Sequence, residues 1–203
     1  MALIELTTDE DSFSPLIPDG SLHYYSRFFS RSEANTLFEQ LLTSIPWQQD
    51  QITVFGKTYN QPRLTSLHAK ESTTYTYSNL QLQSHPFTTE LLNILERIHR
   101  KCDYTFNSVL LNQYRDGSDS NGWHADNEPE LGKNPPIASI SLGGERYFHF
   151  KHRTLANQRY KIKLGHGSLL IMGGEFQHHW VHQIPKTKKK VEQRINLTYR
   201  KLN

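Results

Sequence analysis

Cysteine is almost missing from this chain, which has Cys102 alone among 203 residues. A single thiol excludes an internal disulfide and any cysteine-based zinc cluster, and it fits a reducing compartment. Cys102 itself reads as a buried apolar filler. Long apolar runs are missing too: no stretch approaches the roughly 20 residues of a spanning helix, and the opening MALIELTTDEDSF has neither a basic nor an apolar targeting region. The expectation is a soluble, intracellular protein, cytoplasmic or, in a eukaryote, nuclear, with no membrane partner. Repeats are absent, and low complexity is confined to KTKKK at 186–190.

What is present is enough chain for one sizeable core and no more, so a monomer of one integrated domain is expected. Hydrophobic residues make up 35%, with 10 Tyr, 10 Phe and 3 Trp. That balance suits a sheet-rich fold with a polar, aromatic-lined working surface better than a helix bundle. The net charge of +3 is unevenly spread: residues 1–50 hold eight acidic and two basic side chains, which leaves +9 for the remainder. A positive field of that kind suits a polyanionic partner.

Residues 1–20, acidic and without periodicity, read as a loosely ordered leader. Residues 21–104 carry two helices and two extended pieces. At 30–45, Ser30 and Glu33 form a capping box, Leu37, Phe38, Leu41, Leu42 and Ile45 share one face, and Pro46 ends the helix. At about 87–101, Leu91, Leu92, Leu95 and Ile98 recur at helical spacing. Between them QITVFGKTYNQPRLTSL reads as a β-hairpin and TTYTYSN as a further strand. From 105 to 203 the pattern is eight short strands, FNSVLLNQY, WHAD, IASISLG, YFHFKHR, RYKIKL, SLLIM, HHWVHQI and RINLTYRKL. The fold class is therefore mainly β with flanking helices, of jelly-roll type.

In GWHADNE, His124 and Asp126 stand two apart and so share a face if this segment is a strand. Two histidines and one carboxylate on one face of an octahedron leave three open positions, the arrangement non-haem Fe(II) uses for a co-substrate and O2. The bland counterpart is a hydrogen-bonded surface turn. A third ligand has to come from EFQHHWVHQIP, where alternation places His178 and His182 together and spacing cannot choose between them. In RINLTYR, alternation sets Arg194, Asn196, Thr198 and Arg200 on one face. Arginines facing inward are costly unless they meet anions, and a dicarboxylate answers that need through charge-assisted bonds. Asn112 and Tyr114 on FNSVLLNQY offer neutral donors to the same ligand. An outward, solvated face is the alternative.

Taken in order, VFGK, PRLT, TYTYS, LNQYRDG, HADNE, PIASISLG, HGSLLIM, HHWVH and RINLTYRK resemble the AlkB-type Fe(II)/2-oxoglutarate dioxygenases that dealkylate nucleic-acid bases, most like the members that repair duplex DNA. The resemblance runs from about residue 50 onward. It implies a double-stranded β-helix core at 105–203 and a nucleotide-recognition hairpin lid within 21–104. It also implies Fe(II) on His124, Asp126 and His182, with 2-oxoglutarate on Asn112, Tyr114, Arg194 and Arg200. The reaction implied is oxidative demethylation of N1-methyladenine and N3-methylcytosine lesions, in which O2 and 2-oxoglutarate yield formaldehyde, succinate and CO2.

A base inside a duplex has to be extruded and stacked between planar groups. The resemblance assigns Tyr77 to stacking opposite His124 and Tyr75 to a polar contact. Glu128 then favours positively charged methylated bases, Phe55 fills the gap left by the flipped base, and Arg63 contacts the duplex from the same lobe. Lys186, Lys188, Lys189 and Lys190 suit phosphate. The bland counterparts are cross-strand packing for the tyrosines, a surface turn for Glu128 and a core position for Phe55. Alkylated double-stranded DNA is the favoured partner, with single strands or RNA next. Methylated protein as substrate, or a damage-binding module without catalysis, are the competing readings.

Overall fold

A computed structural model describes residues 3–7, 10–54, 56–71, 74–77 and 80–203, the description at 53, 54, 74–77, 80 and 81 being of the backbone. β1 (Ile4–Leu6), β2 (Ser12–Phe13) and β3 (Ser21–Tyr25) precede α1 (Arg31–Ser44). There follow the hairpin of β4 (Gln51–Val54) and β5 (Lys57–Asn60), then β6 (Leu64–Ala69), and the hairpin of β7 (Thr74–Tyr77) and β8 (Leu80–Gln83). β9 (His85–Pro86) leads into α2 (Thr89–His99). After α2 come β10 (Ser108–Tyr114), β11 (Asn121–His124), β12 (Ile137–Gly143), β13 (Arg146–His152), β14 (Arg159–Leu164) and β15 (Ser168–Gly173). A single-turn helix, α3 (Phe176–His179), precedes β16 (Trp180–Ile184) and β17 (Arg194–Arg200).

The strands form two principal sheets, β1-β14-β13-β16-β11 and β2-β3-β15-β12-β17-β10-β6-β9. They enclose one apolar cluster, with Tyr114, Phe148, Phe150, Ile162, Leu170, Phe176 and Trp180 among its members. A second cluster lies on the other side of the larger sheet. There Ile140, Leu142, Leu169, Ile195, Leu197 and Tyr199 meet Leu41 of α1 and Leu91, Ile94, Leu95 and Ile98 of α2. This is a jelly roll whose larger sheet is buried on both faces, which is why all seven residues of β10 and of β17 are buried.

Local chemistry sets the helix ends. Ser30 caps α1 in the expected box, its Oγ accepting from the Glu33 N–H while Glu33 accepts from the Ser30 N–H, worth about 1 kcal/mol. Thr88 caps α2 by accepting from the Leu91 N–H. Ile94 takes the core position expected for Leu92, which faces solvent at 39% exposure. Tyr199 donates to the Leu91 carbonyl at 2.9 Å and ties β17 to α2. Cys102 is half-buried against this helical layer.

The leader differs from expectation. β1 adds in parallel to β14 and β2 pairs with β3, because the acidic segment still carries apolar residues that join the core, Leu6, Phe13 and Ile17. A clamp completes it. Backbone N–H groups of Thr154 and Leu155 donate to His152 Nδ1 at 3.2 and 3.1 Å, which leaves the ring proton on Nε2, 3.0 Å from an Asp19 carboxylate oxygen. His179 stands beside this pair, so three ligand-type side chains meet here. With Nδ1 occupied as an acceptor, a neutral His152 has no lone pair left for an ion.

Candidate metal and co-substrate site

β11 and β16 pair antiparallel, and a bulge between Asn121 and His124 shifts their register by one residue so that His124 comes opposite His182, with the two imidazole centroids 4.3 Å apart. Asp126 joins them by a different route from strand alternation. β11 ends at His124, and Asp126 lies in the bend beyond it. Tertiary bonds place it: its N–H donates to Gln177 Oε1 at 2.9 Å, and its Oδ1 accepts from Arg200 Nη2 at 2.6 Å. Oδ2 is then 3.6 Å from His182 Nε2. Ligand atoms of His124, Asp126 and His182 all lie within 4.8 Å of one another. His178 is outside the cluster, exposed on α3, because the one-turn helix breaks the alternation that paired it with His182.

Protonation is arranged for metal binding. The Gly122 carbonyl 2.7 Å from His124 Nδ1 can only accept, so Nδ1 carries the proton and Nε2 keeps its lone pair. Burial, then the neighbouring His182, lowers the His124 pKa to about 3. Burial works to raise the Asp126 pKa, but Arg200 and the two histidines outweigh it and hold the carboxyl well below its ordinary range. At neutral pH the cluster therefore offers a neutral imidazole and an ionised carboxylate, donors suited to a divalent ion.

Beside the triad lies a cavity lined by Asn112, Tyr114, Arg194 and Arg200, brought together by the pairing of β10 with β17, in which Tyr114 faces Arg194 and Asn112 faces Asn196. Arg194 is 1% exposed. Its Nη2 donates to Ser141 Oγ at 2.9 Å, while Nε and Nη1 have no hydrogen-bond partner among the described residues. Burial lowers its pKa to about 10, so it remains a cation at neutral pH. A buried guanidinium with two unused donors fits an anion, and a carboxylate matches its fork.

Arg63 requires a correction. It is 4% exposed, and its Nε donates to Asn112 Oδ1 at 2.8 Å and its Nη1 to the Ser120 carbonyl at 3.2 Å. It therefore holds Asn112 from beneath instead of meeting DNA at the surface. Glu128, half-buried, stands at the start of a 3-10 turn (Pro129–Leu131) and is not among the residues lining the cavity. Tyr75 and Tyr77 fall on β7, described by its backbone. Phe55 lies outside the described residues.

Several supporting residues escaped the sequence reading. Gln177, fully buried, holds Asp126. Asn121 Nδ2 lies 3.2 Å from His124 Nε2. Ser141 and Ser139 accept from Arg194 and Asn196. The serines alone left a signal, the alternating polar positions of IASISLG; Gln177 and Asn121 act through contacts that spacing does not reveal.

Comparisons with known proteins show the family. The 2OG-Fe(II) oxygenase superfamily profile matches residues 21–200. The human alpha-ketoglutarate-dependent dioxygenase alkB homolog 3 is 40% identical over 185 residues, 87% of this chain and 64% of that protein. This chain thus spans a little under two thirds of that relative's length. The mouse DNA oxidative demethylase ALKBH2 is 35% identical over 188 residues, 88% of this chain and 79% of that protein. The structure of OsALKBH1 superposes with a TM-score of 0.59 at 17% identity, over 93% of this chain and 99% of that one, and so supports the fold. With a profile spanning the helices and both sheets, and relatives this similar over most of its length, the chain belongs to the 2OG-Fe(II) oxygenase superfamily, among its AlkB homologues.

Proposed function

We propose that this protein removes methyl groups oxidatively from N-alkylated bases in DNA, as a dioxygenase dependent on Fe(II) and 2-oxoglutarate. The observation that carries the reading is the buried Arg194, with two donors unused, lining the same cavity as the compact His124, Asp126 and His182 cluster. Those three residues would hold Fe(II). Asn112, Tyr114, Arg194 and Arg200 would hold 2-oxoglutarate, with Arg194 on the carboxylate remote from the metal. Together with O2 these cofactors supply oxidising power that no side chain has, taking the N-methyl group to formaldehyde and 2-oxoglutarate to succinate and CO2.

The protein's own part is positional. Gln177 and Arg200 orient Asp126, Arg63 turns the Asn112 amide so that its NH2 faces away from the guanidinium, and Phe148, Phe176 and Trp180 keep this end of the jelly roll dry. The hairpins β4–β5 and β7–β8 serve as the lid. In it Tyr77 stacks on the extruded base opposite His124, Tyr75 bonds to it, Glu128 favours cationic lesions and Phe55 fills the vacated stack. Lys186, Lys188, Lys189 and Lys190 meet phosphates. Double-stranded DNA is the preferred form, the active species is the monomer, and the setting is intracellular, wherever the genome lies.

Mass analysis of duplex and single-stranded oligonucleotides carrying N1-methyladenine or N3-methylcytosine, after incubation with Fe(II) and 2-oxoglutarate, tests the reading. A mass loss of one CH2, the methyl group being replaced by hydrogen, with equimolar succinate supports it. Turnover confined to methylated peptides overturns it.

A further inference from the structure

The outer face of the smaller sheet, on the far side from the metal cluster, is basic and aromatic in alternation. β13 turns Tyr147, His149 and Lys151 outward, β14 turns Arg159, Lys161 and Lys163 outward, and β11 adds Trp123, next to His124 in the chain and 38% exposed. Cross-strand register sets Lys151 opposite Arg159, His149 opposite Lys161 and Tyr147 opposite Lys163. Lys151 Nζ stands 4.5 Å over the Trp123 ring and Lys161 Nζ 4.7 Å over that of Tyr147. Among the described residues two acids serve the face, Glu5 pairing with Lys161 and Glu145 with Lys163. Lys151 and Arg159 have no carboxylate partner among the described residues.

Like charges directly opposite each other on a sheet are destabilising, and a fold gains nothing from leaving both without an acid. An anion laid along the pair removes the repulsion. The position of the face selects the kind of anion. β11 is the edge strand of this sheet, with His124 on its inner side and Trp123 on its outer side. A polymer whose base is inserted between the sheets has to leave over a sheet edge, and crossing β11 brings it to Trp123, Lys151 and Arg159. Cations spaced along a groove with aromatic rings between them match a phosphodiester backbone and its bases.

We propose that this outer face binds the stretch of nucleic acid flanking the base being processed, with Lys151 and Arg159 on successive phosphates and Trp123 stacking on a neighbouring base. The proposal rests on the nucleic-acid reading above. Its test compares the parent with Lys151→Gln/Arg159→Gln and with Trp123→Ala on a methylated trinucleotide and on a 20-nucleotide strand containing it. Equilibrium binding of the longer strand is measured across a salt series. The double variant should lower the slope of log affinity against log salt by about 1.4, roughly 0.7 for each lost phosphate contact on a single strand. It should also raise KM on the longer strand roughly tenfold and leave trinucleotide turnover unchanged. Trp123→Ala should weaken binding of the longer strand without changing the slope. An unchanged slope and unchanged KM, in a double variant that melts with the parent, overturns the proposal. Failure of the parent itself to turn over either substrate strikes the nucleic-acid reading instead, and the salt slopes still decide whether this face binds a strand.

Discussion

Replacing Arg194 by Met should make the protein more stable and unable to use its co-substrate. The guanidinium is 1% exposed, spends one donor on Ser141 and leaves Nε and Nη1 unused. Holding its pKa at about 10, well below that of an ordinary guanidinium, corresponds to about 3 kcal/mol against the charged form. Methionine fills similar volume without that cost and loses one hydrogen bond, worth about 1 kcal/mol. The remainder, about 2 kcal/mol, should raise the melting temperature of the metal-free variant by about 6 °C for a chain of this size. Binding should move the other way. Two charge-assisted bonds at about 1.5 to 3 kcal/mol each make 2-oxoglutarate bind two to four orders of magnitude more weakly. Thermal melts with Mn(II), with and without 2-oxoglutarate, read both effects. At a concentration of about 100 times the parent's Kd the parent gains roughly 2.7 kcal/mol, and the variant should gain no more than about 0.4 kcal/mol. A variant that melts below the parent without co-substrate, or that keeps the 2-oxoglutarate shift, refutes the reasoning.

Asp126→Ala should abolish formaldehyde release while fluorescence anisotropy still detects DNA binding, because the His124, Asp126 and His182 cluster is separate from the basic surfaces proposed to meet phosphate. Gln177→Ala leaves the Asp126 N–H without its acceptor and should weaken Mn(II) binding, followed by calorimetry, by about 10- to 100-fold. His124 is held neutral by a folded pKa of about 3, below the roughly 6.5 of an unfolded histidine. The unfolded chain therefore binds the extra proton first, and stability falls as pH drops below that unfolded value. Urea unfolding of the metal-free protein should show a loss of about 2 kcal/mol between pH 7 and pH 5 that His124→Asn removes. Phe55→Ala should slow demethylation of duplex more than of single strands, and equal slowing of both would remove the wedge role.

Much of this was legible from periodicity. The capping box at Ser30 and Glu33, the polar face of β17 and the Asn112–Tyr114 pair follow from spacing, because regular backbone turns sequence distance into direction. Legibility stopped where regularity did. Asp126 reaches the metal cluster through bonds to Gln177 and Arg200 from a bend, and α3 interrupts what reads as one strand through HHWVHQI. Arg63 looked like a surface cation because its partner, Asn112, lies 49 positions away. The acidic leader joins the fold for a related reason, since Leu6 and Phe13 acquire a core to join once the sheets exist.

β17 lies between β12 and β10, both of which come earlier in the chain. During synthesis the sheet is thus a zipper with its middle row of teeth missing, and until residues 194–200 emerge two raw strand edges stand open to any passing extended peptide. The same late segment carries Arg194 and Arg200. A nascent chain caught at that stage is at once prone to aggregate and short of both guanidinium groups of the candidate site, so that site is complete no sooner than the fold is closed.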